Sequence, residues 1–342
     1  MRHLKILTWH VHGSYLKALA QLEHEWYLPT RPGRPEGYGG RTATFDLPAY
    51  MHEIPAEEVR NLDLDLILYQ SERNYRVDQF DILSPEQRRL PRIYLEHNTP
   101  RPHATDTRHP VDDPICLLVH VTSYNRLMWD NARTPTCVIE HSVVIDPALK
   151  YRGDLERGLV VVNCMQRRPR IAGLDLFLHA RAQVPLDLAG MESAALGGLG
   201  DLAYQQLHAR MAGYRFLFSP IRYTSLPLAV IEAMTIGMPV IALATTEVPT
   251  VIENGKQGYI SCDSDELIAH MRRLLADPGE ARRLGEQARA TASARFGLQR
   301  FIGAWNTAFS RAISLQRESH NSSVNRHEPL LSLLSHERKT GI

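Results

Sequence analysis

Residues 224–243, TSLPLAVIEAMTIGMPVIAL, are apolar almost throughout and carry a single full charge, Glu232. A solvated face would show several charges and a plain core segment none, so this carboxylate needs a reason. The segment reads as a helix starting near Leu226, ended by Gly237 with Pro239 just beyond, followed by a strand over 239–243. Glycine accepts the left-handed turn that closes a helix, and proline cannot continue one. Glu232 then falls within the first two helical turns, beside Leu228, Ala229, Val230 and Ile231. In a doubly wound sheet the helix N-termini line the crevice at the carboxyl ends of the strands, where ligands bind. One carboxylate near that mouth suits a diol such as a ribose, because it accepts two hydroxyl hydrogen bonds. The competing reading is a glutamate that caps its own helix or pairs with an arginine.

Working outward, apolar runs of strand length alternate with helix-period segments. Strands are expected at 4–11, 25–29, 64–71, 92–98, 115–122 and 136–144, with helices at 15–23 and 124–131 among them. The series restarts with a strand at 158–165, a helix at 170–184 and strands at 186–191 and 214–220. After the opening segment come a strand at 258–262 and amphipathic helices at 264–278 and 279–296. Continuous Val/Ile/Leu runs separated by helices indicate parallel sheets covered on both faces. The chain has 342 residues, 44% of them apolar, enough for two cores. The expected fold is therefore α/β, with two Rossmann-like domains facing across a cleft. The expected division is 1–150 and 151–314, with a boundary near 146–156 and 315–342 as a disordered tail.

Composition excludes several classes. Lys plus Arg (39) nearly balances Asp plus Glu (38), so no global field marks a nucleic-acid binder. Cys116, Cys137, Cys164 and Cys262 are widely spaced, and three of them lie in apolar runs, where cysteine acts as a small hydrophobe. No run of about 18 apolar residues exists to span a bilayer, and the first residues do not read as a signal peptide. A cytoplasmic protein is expected. The sixteen histidines invite a metal, but no HExxH or Cys/His cluster fixes a metal geometry, so none is expected. Asp63 and Asp65 form an Asp-x-Asp, but it opens a buried strand and is set aside.

Two loops could meet an anion. Residues 164–173, CMQRRPRIAG, place Arg167, Arg168 and Arg170 directly after a strand and before a helix. Residues 30–41, TRPGRPEGYGGR, offer Arg31, Arg34 and Arg41 on a glycine-rich backbone, as a clamp or as an exposed loop. The first strand-to-helix turn leaves Gly13 and Ser14 facing the same crevice, suited to a phosphate or a sugar edge.

Residues 213–309 resemble the C-terminal half of the retaining nucleotide-sugar glycosyltransferases of family 4, which have the glycosyltransferase-B fold. Glu232, Ala233, Met234, Gly237, Pro239 and Val240 match that family's motif, and VPTVIENGKQGYI (248–260) and LLADPGEARRLGEQARATASARF continue the likeness. The resemblance implies that Glu232 holds the ribose hydroxyls, with Thr224, Ser225 and Leu228 at the same mouth and Gly13 and Arg168 completing nucleotide-sugar binding. Thr224 stands where the family has its first glutamate, Pro227 where it has a glycine, and Thr246, Glu247, Val248, Pro249 and Thr250 where it has a Gly-Gly-x-Pro-Glu loop. Arg167 matches the family's arginine, while Ala172 occupies its lysine position, so Arg168 or Arg170 is expected to supply the second charge on the diphosphate. A crevice histidine beside the transferred sugar falls on His97, with His120 as the competitor.

The function implied is transfer of a sugar from a nucleoside diphosphate sugar to an acceptor hydroxyl, with retention. His97, Arg167 and Arg170 are the expected catalytic residues, and neither metal nor cofactor is expected. The acceptor would be a glycan, a glycolipid or a lipid phosphate, and a peripheral membrane contact stays open. Loss of the first glutamate also allows a degenerate nucleotide-sugar-binding protein. A sugar epimerase or phosphorylase on the same fold is the third reading.

Overall fold

A computed structural model describes residues 2–42 and 45–325, with the side chains of 321–325 left aside. The first sheet contains β1 (Lys5–Thr8), β2 (Glu25–Thr30), β3 (Met51–Pro55), β4 (Leu66–Tyr69), β5 (Arg92–Glu96), β6 (Cys116–His120) and β7 (Thr136–Val138). Its strands are all parallel, in the order β3-β2-β1-β4-β5-β6-β7. The second sheet contains β8 (Leu155–Val161), β9 (Leu186–Ala189), β10 (Tyr214–Ser219), β11 (Val240–Leu243) and β12 (Gly258–Ser261), also parallel. Its order is β12-β11-β10-β8-β9. Every residue of β6 and of β10 is buried, which is why these strands are largely apolar. Arg215 in β10 is buried with its guanidinium donating to Gly153 O, Leu274 O and Leu275 O.

Helices α1 (Gly13–Leu19), α2 (Gln79–Ile82) and α3 (Ser123–Met128) belong to the first domain. The second holds α4 (Pro169–Ala172), α5 (Leu174–Arg181), α6 (Tyr204–Met211), α7 (Leu228–Ile236), α8 (Ser264–Ala276) and α9 (Pro278–Arg295). Two parallel α/β sheets facing across a cleft constitute the glycosyltransferase-B architecture. Among the described residues no helix is long and apolar enough to cross a membrane.

Strand order locates the cleft. It reverses between β1 and β4 in the first sheet and between β8 and β10 in the second. Loops leaving the carboxyl ends of strands at such switch points splay apart and leave a crevice. The loops after β1, β5, β8 and β10 carry Gly13, His97, Arg167 to Arg170, and Thr224. Gly237 closes α7 at φ +92°, as its helix-stop position requires.

Helix α6 was not expected, and the helix expected over 170–184 is split at Gly173 into α4 and α5. Three further elements depart from the expectation. Strand β3 is absent from it, because Met51–Pro55 is mostly exposed, has the polar His52 and Glu53 side by side and ends in proline, as sheet edges do. The strand expected over 136–144 stops at Val138, and 139–154 cross to the second sheet. The third difference is α10 (Leu298–Asn325), whose first part was expected in the 151–314 domain. Phe301, Trp305, Phe309 and Ala312 are fully buried in the core of the first sheet, with Leu4, Trp26, Leu95 and Val119. Spaced at four, four and three, they form one helical stripe. The tail expected from 315 is helical as far as Asn325, and 326–342 lie outside the described residues.

Trp305→Ala should therefore destabilise the first domain by about 3–5 kcal/mol. Denaturant melts followed at several wavelengths check this. A loss below about 1 kcal/mol would mean that α10 is dispensable to that core.

Candidate active site

On the first-domain wall, burial governs the chemistry. Thr8 Oγ1 donates to Leu68 O (3.0 Å), and Gln70 Nε2 donates to Thr8 Oγ1 (2.9 Å) and Trp9 O (2.8 Å). That fixes the Gln70 amide with Oε1 facing His97 Nε2 at 3.2 Å. Oε1 can only accept, so His97 carries its proton on Nε2 and keeps Nδ1 as a bare acceptor. His12 lies against His97 (ring centroids 4.3 Å apart), and Tyr15 contacts both His97 (4.9 Å) and His141 (5.5 Å). Trp305 of α10 donates to the Tyr15 hydroxyl at 3.3 Å, so the returning helix backs this cluster.

Burial pushes His12 down to about 4 and His141 to about 3. Burial, then His12 and His141, hold His97 well below the usual imidazole range. All three are neutral imidazoles at neutral pH. His120, the competitor, is fully buried with Nε2 2.7 Å from Asn131 Oδ1. It sits within the sheet, whereas His97 is partly exposed at a strand mouth.

The loop after β8 is shaped by Gly173, at φ +77°, where a Cβ would strike the Pro220 carbonyl. That close approach brings the arginine loop against residues 220–227. Arg167 forks onto Glu192, and Arg170 Nη1 reaches Asp175 Oδ2 at 2.7 Å. Arg222, which the sequence reading passed over, grips both Asp175 oxygens at 2.6 and 2.7 Å and pulls that carboxyl down to about 2. Arg168 is exposed and has no ion pair or side-chain hydrogen bond among the described residues. Its charge reaches His12 across the cleft.

Glu232 is buried on α7. Its ion-pair partner among the described residues is His208 Nε2, 3.5 Å away on α6. Burial and this carboxylate hold the Tyr204 phenol up. Tyr204 Oη and His208 Nε2 have no hydrogen-bond partner among the described residues. Both line a cavity of about 510 Å³ with Lys17, Asp146 and Gln205.

Thr224 is half-buried, Ser225 is buried with its carbonyl accepting from Thr246 Oγ1 (3.2 Å), and Leu228 opens α7. The Phe45 ring covers Gly13, where a Cβ would collide with it, and lies 5.4 Å from the Tyr204 ring.

Two loops serve other ends. Arg34 forks onto Glu53 at 2.7 and 3.1 Å, Arg41 N donates to the same carboxylate at 2.5 Å, and Arg31 lies over Tyr38 at 4.3 Å. Residues 30–41 are thus stapled to β3 and offer no clamp. Glu247 accepts from Tyr124 N (2.8 Å) in the first domain and contacts Arg295 (3.2 Å). Asp63 and Asp65 pair with Lys5 and Arg2. Among the described residues no group of three His, Cys, Asp or Glu is placed to hold a metal ion.

Residues 196–291 match the family model described as glycosyl transferases group 1. MMP alpha-(1->4)-mannosyltransferase of Mycolicibacterium hassiacum is 32% identical over 122 residues, 34% of this chain and only 28% of that relative's length. Sucrose-phosphate synthase from Thermosynechococcus elongatus superposes with a TM-score of 0.68 at 17% identity, over 92% of this chain and 100% of that one. Anabaena HepE in complex with UDP gives 0.63 at 15% identity, over 91% and 100%.

The histidine cluster sets a pH dependence. The unfolded chain takes up protons from about pH 6.5 downward, while the folded one leaves His12 neutral to about 4 and His141 to about 3. The unfolded state then binds more protons, so stability falls as pH drops through this window and is flat above it. Melting temperatures at pH 7.5, 6.5, 5.5 and 4.5 should show that decline, reduced in His141→Gln. An unchanged melting temperature down to pH 4.5 would refute buried neutral imidazoles.

The chain is a two-domain protein of the glycosyltransferase-B fold, and its residues 196–291 match the model of the glycosyl transferases group 1 family.

Proposed function

We propose that this protein transfers a sugar from a nucleoside diphosphate sugar to an acceptor hydroxyl, with retention and without a metal. The observation that carries the reading is Glu232. It is a buried carboxylate whose ion-pair partner is a histidine rather than an Arg or Lys, next to Tyr204 and His208, which line a cavity. Burying a carboxylate is costly unless hydrogen bonds compensate it, and a ribose diol supplies two. The group 1 match over residues 196–291 and the UDP held by the structurally similar HepE support the same ligand class.

In this reading the nucleotide lies on the second domain at Glu232, Ser225 and Leu228, with its diphosphate toward Arg168 and Gly13. Thr224 offers the sugar a neutral hydroxyl. His97 faces the sugar from the opposite wall through its bare Nδ1, a neutral acceptor that orients a hydroxyl and holds no proton to donate there. The departing diphosphate takes the acceptor's proton, and the arginine loop stabilises its charge. Arg167 and Arg170 act from their ion pairs with Glu192 and Asp175. The acceptor, a glycan, glycolipid or lipid phosphate, enters over the first domain.

Glu232→Ala should lose roughly 1.5–3 kcal/mol of nucleoside diphosphate affinity while melting within a few degrees of the unaltered protein. Titration calorimetry with UDP and GDP checks this. Unchanged affinity with lowered stability would make Glu232 a structural partner of His208. His97→Ala should cut turnover, read as released nucleoside diphosphate, and leave nucleotide affinity intact. Loss of both together would place His97 in the supporting core.

A further inference from the structure

The lysine position of the resembling family falls on Ala172, which is buried and uncharged. The nearby guanidiniums in its own domain are mostly committed: Arg167 holds Glu192, while Arg170 and Arg222 share Asp175. Arg168 alone among these is unpaired within the described residues. One more unpaired arginine, Arg101, lies on the other domain, near enough for the charge of Arg168 to act on it. The loop leaving β5 is anchored to α3 and its C-terminal flank, where Asn125 Nδ2 and Trp129 Nε1 both donate to Asn98 O, at 3.1 and 2.9 Å. Two residues on, Pro100 O accepts from the Tyr223 hydroxyl at 3.2 Å. Tyr223 precedes Thr224, so this bond sets Arg101 directly against the second domain's site loop. Arg101 is exposed and has no hydrogen bond or ion pair among the described residues.

Burial, then the charge of Arg168, lowers the Arg101 guanidinium. Two unpaired like charges brought together from opposite walls cost free energy in the empty cleft. An anion between them reverses the sign of that interaction, and guanidinium forks match phosphoryl oxygens.

We infer that Arg101, on the first domain, is the second unpaired cation on the donor's diphosphate, acting with Arg168 across the cleft in place of the charge missing at Ala172. The inference rests on the nucleoside diphosphate reading given above. It adds that the diphosphate bridges the two domains, so that binding the donor draws the walls together.

Calorimetry on the full chain tests it, with UDP and GDP as probes, uridine and guanosine as their uncharged counterparts, and ionic strength held constant. Arg101→Ala should weaken the diphosphate that binds by about tenfold or more and leave the nucleoside unchanged. Arg101→Lys should recover part of the loss, as a point charge replacing a fork. Arg101→Gln, which keeps the aliphatic stem and a polar end without the charge, repeats the test should the alanine variant melt early. Ligand should contract the radius of gyration in solution scattering for the unaltered protein and not for Arg101→Ala. Unchanged UDP and GDP affinity in Arg101→Ala overturns the inference and leaves the proposed function standing. So does equal loss of nucleoside and diphosphate binding. Lost turnover with intact diphosphate affinity would move Arg101 to the acceptor and overturn it equally. Failure of the unaltered protein to bind any nucleoside diphosphate overturns both readings.

Discussion

Two strands of chain cross between the sheets, and they are laced to each other. Ser142 Oγ donates to Phe296 O at 2.9 Å, and Arg300 donates to Glu140 O and His141 O at 2.7 and 2.9 Å. Arg295 pairs with Glu140 at 2.5 Å and with Glu247 at 3.2 Å. The outgoing and returning segments therefore behave as one hinge, and every feature of the cleft depends on how that hinge presents one sheet to the other. Glu247 explains why it can be ordered. A fully desolvated carboxylate is expensive alone, but this one gathers a backbone N–H from Tyr124, the Thr250 hydroxyl and the Arg295 guanidinium.

Charge in the cleft is divided by wall. The first domain presents neutral imidazoles, because burial and mutual repulsion keep His12, His97 and His141 from taking protons. Arg101 and Arg168 stand at the mouth, and the buried Glu232 faces His208 on the second domain. Neutral histidines beside unpaired arginines make a surface that tolerates further cations poorly and anions well. The same aromatic cluster ties this wall to the fold, since Trp305 reaches Tyr15 and Tyr15 contacts His97. Site and hinge thus share a single helix, α10.

Much of the site is legible along the chain. Gly237 and Pro239 close α7, which places Glu232 in its first turns, and that helix runs Leu228–Ile236. His97 lies at a strand mouth, as its run RIYLEHN suggests, because an apolar run followed by polar residues marks where a strand leaves the sheet. Arg101, four residues later, gave no comparable signal. Nothing local distinguishes it from a dozen solvated arginines, and only the Tyr223 bond to Pro100 brings it to the cleft. The loop of residues 30–41 shows the opposite error: its arginines look available until Glu53 of β3, an edge strand with little apolar periodicity, is folded beside them.

By itself, then, the sequence determined the two parallel α/β series, the helix stops and the strand ends that hold candidate residues, because these rest on periodicity and turn chemistry between near neighbours. Tertiary structure alone decided that α10 returns to the first core, and which arginines are spent on Glu192, Asp175 and Glu53. It alone decided that Glu247 ties the second domain to Tyr124 and to Arg295. An amphipathic stripe specifies that a face will be buried but not against which sheet. A charged side chain is paired or free according to residues tens to hundreds of positions away, and local pattern carries no information about that distance.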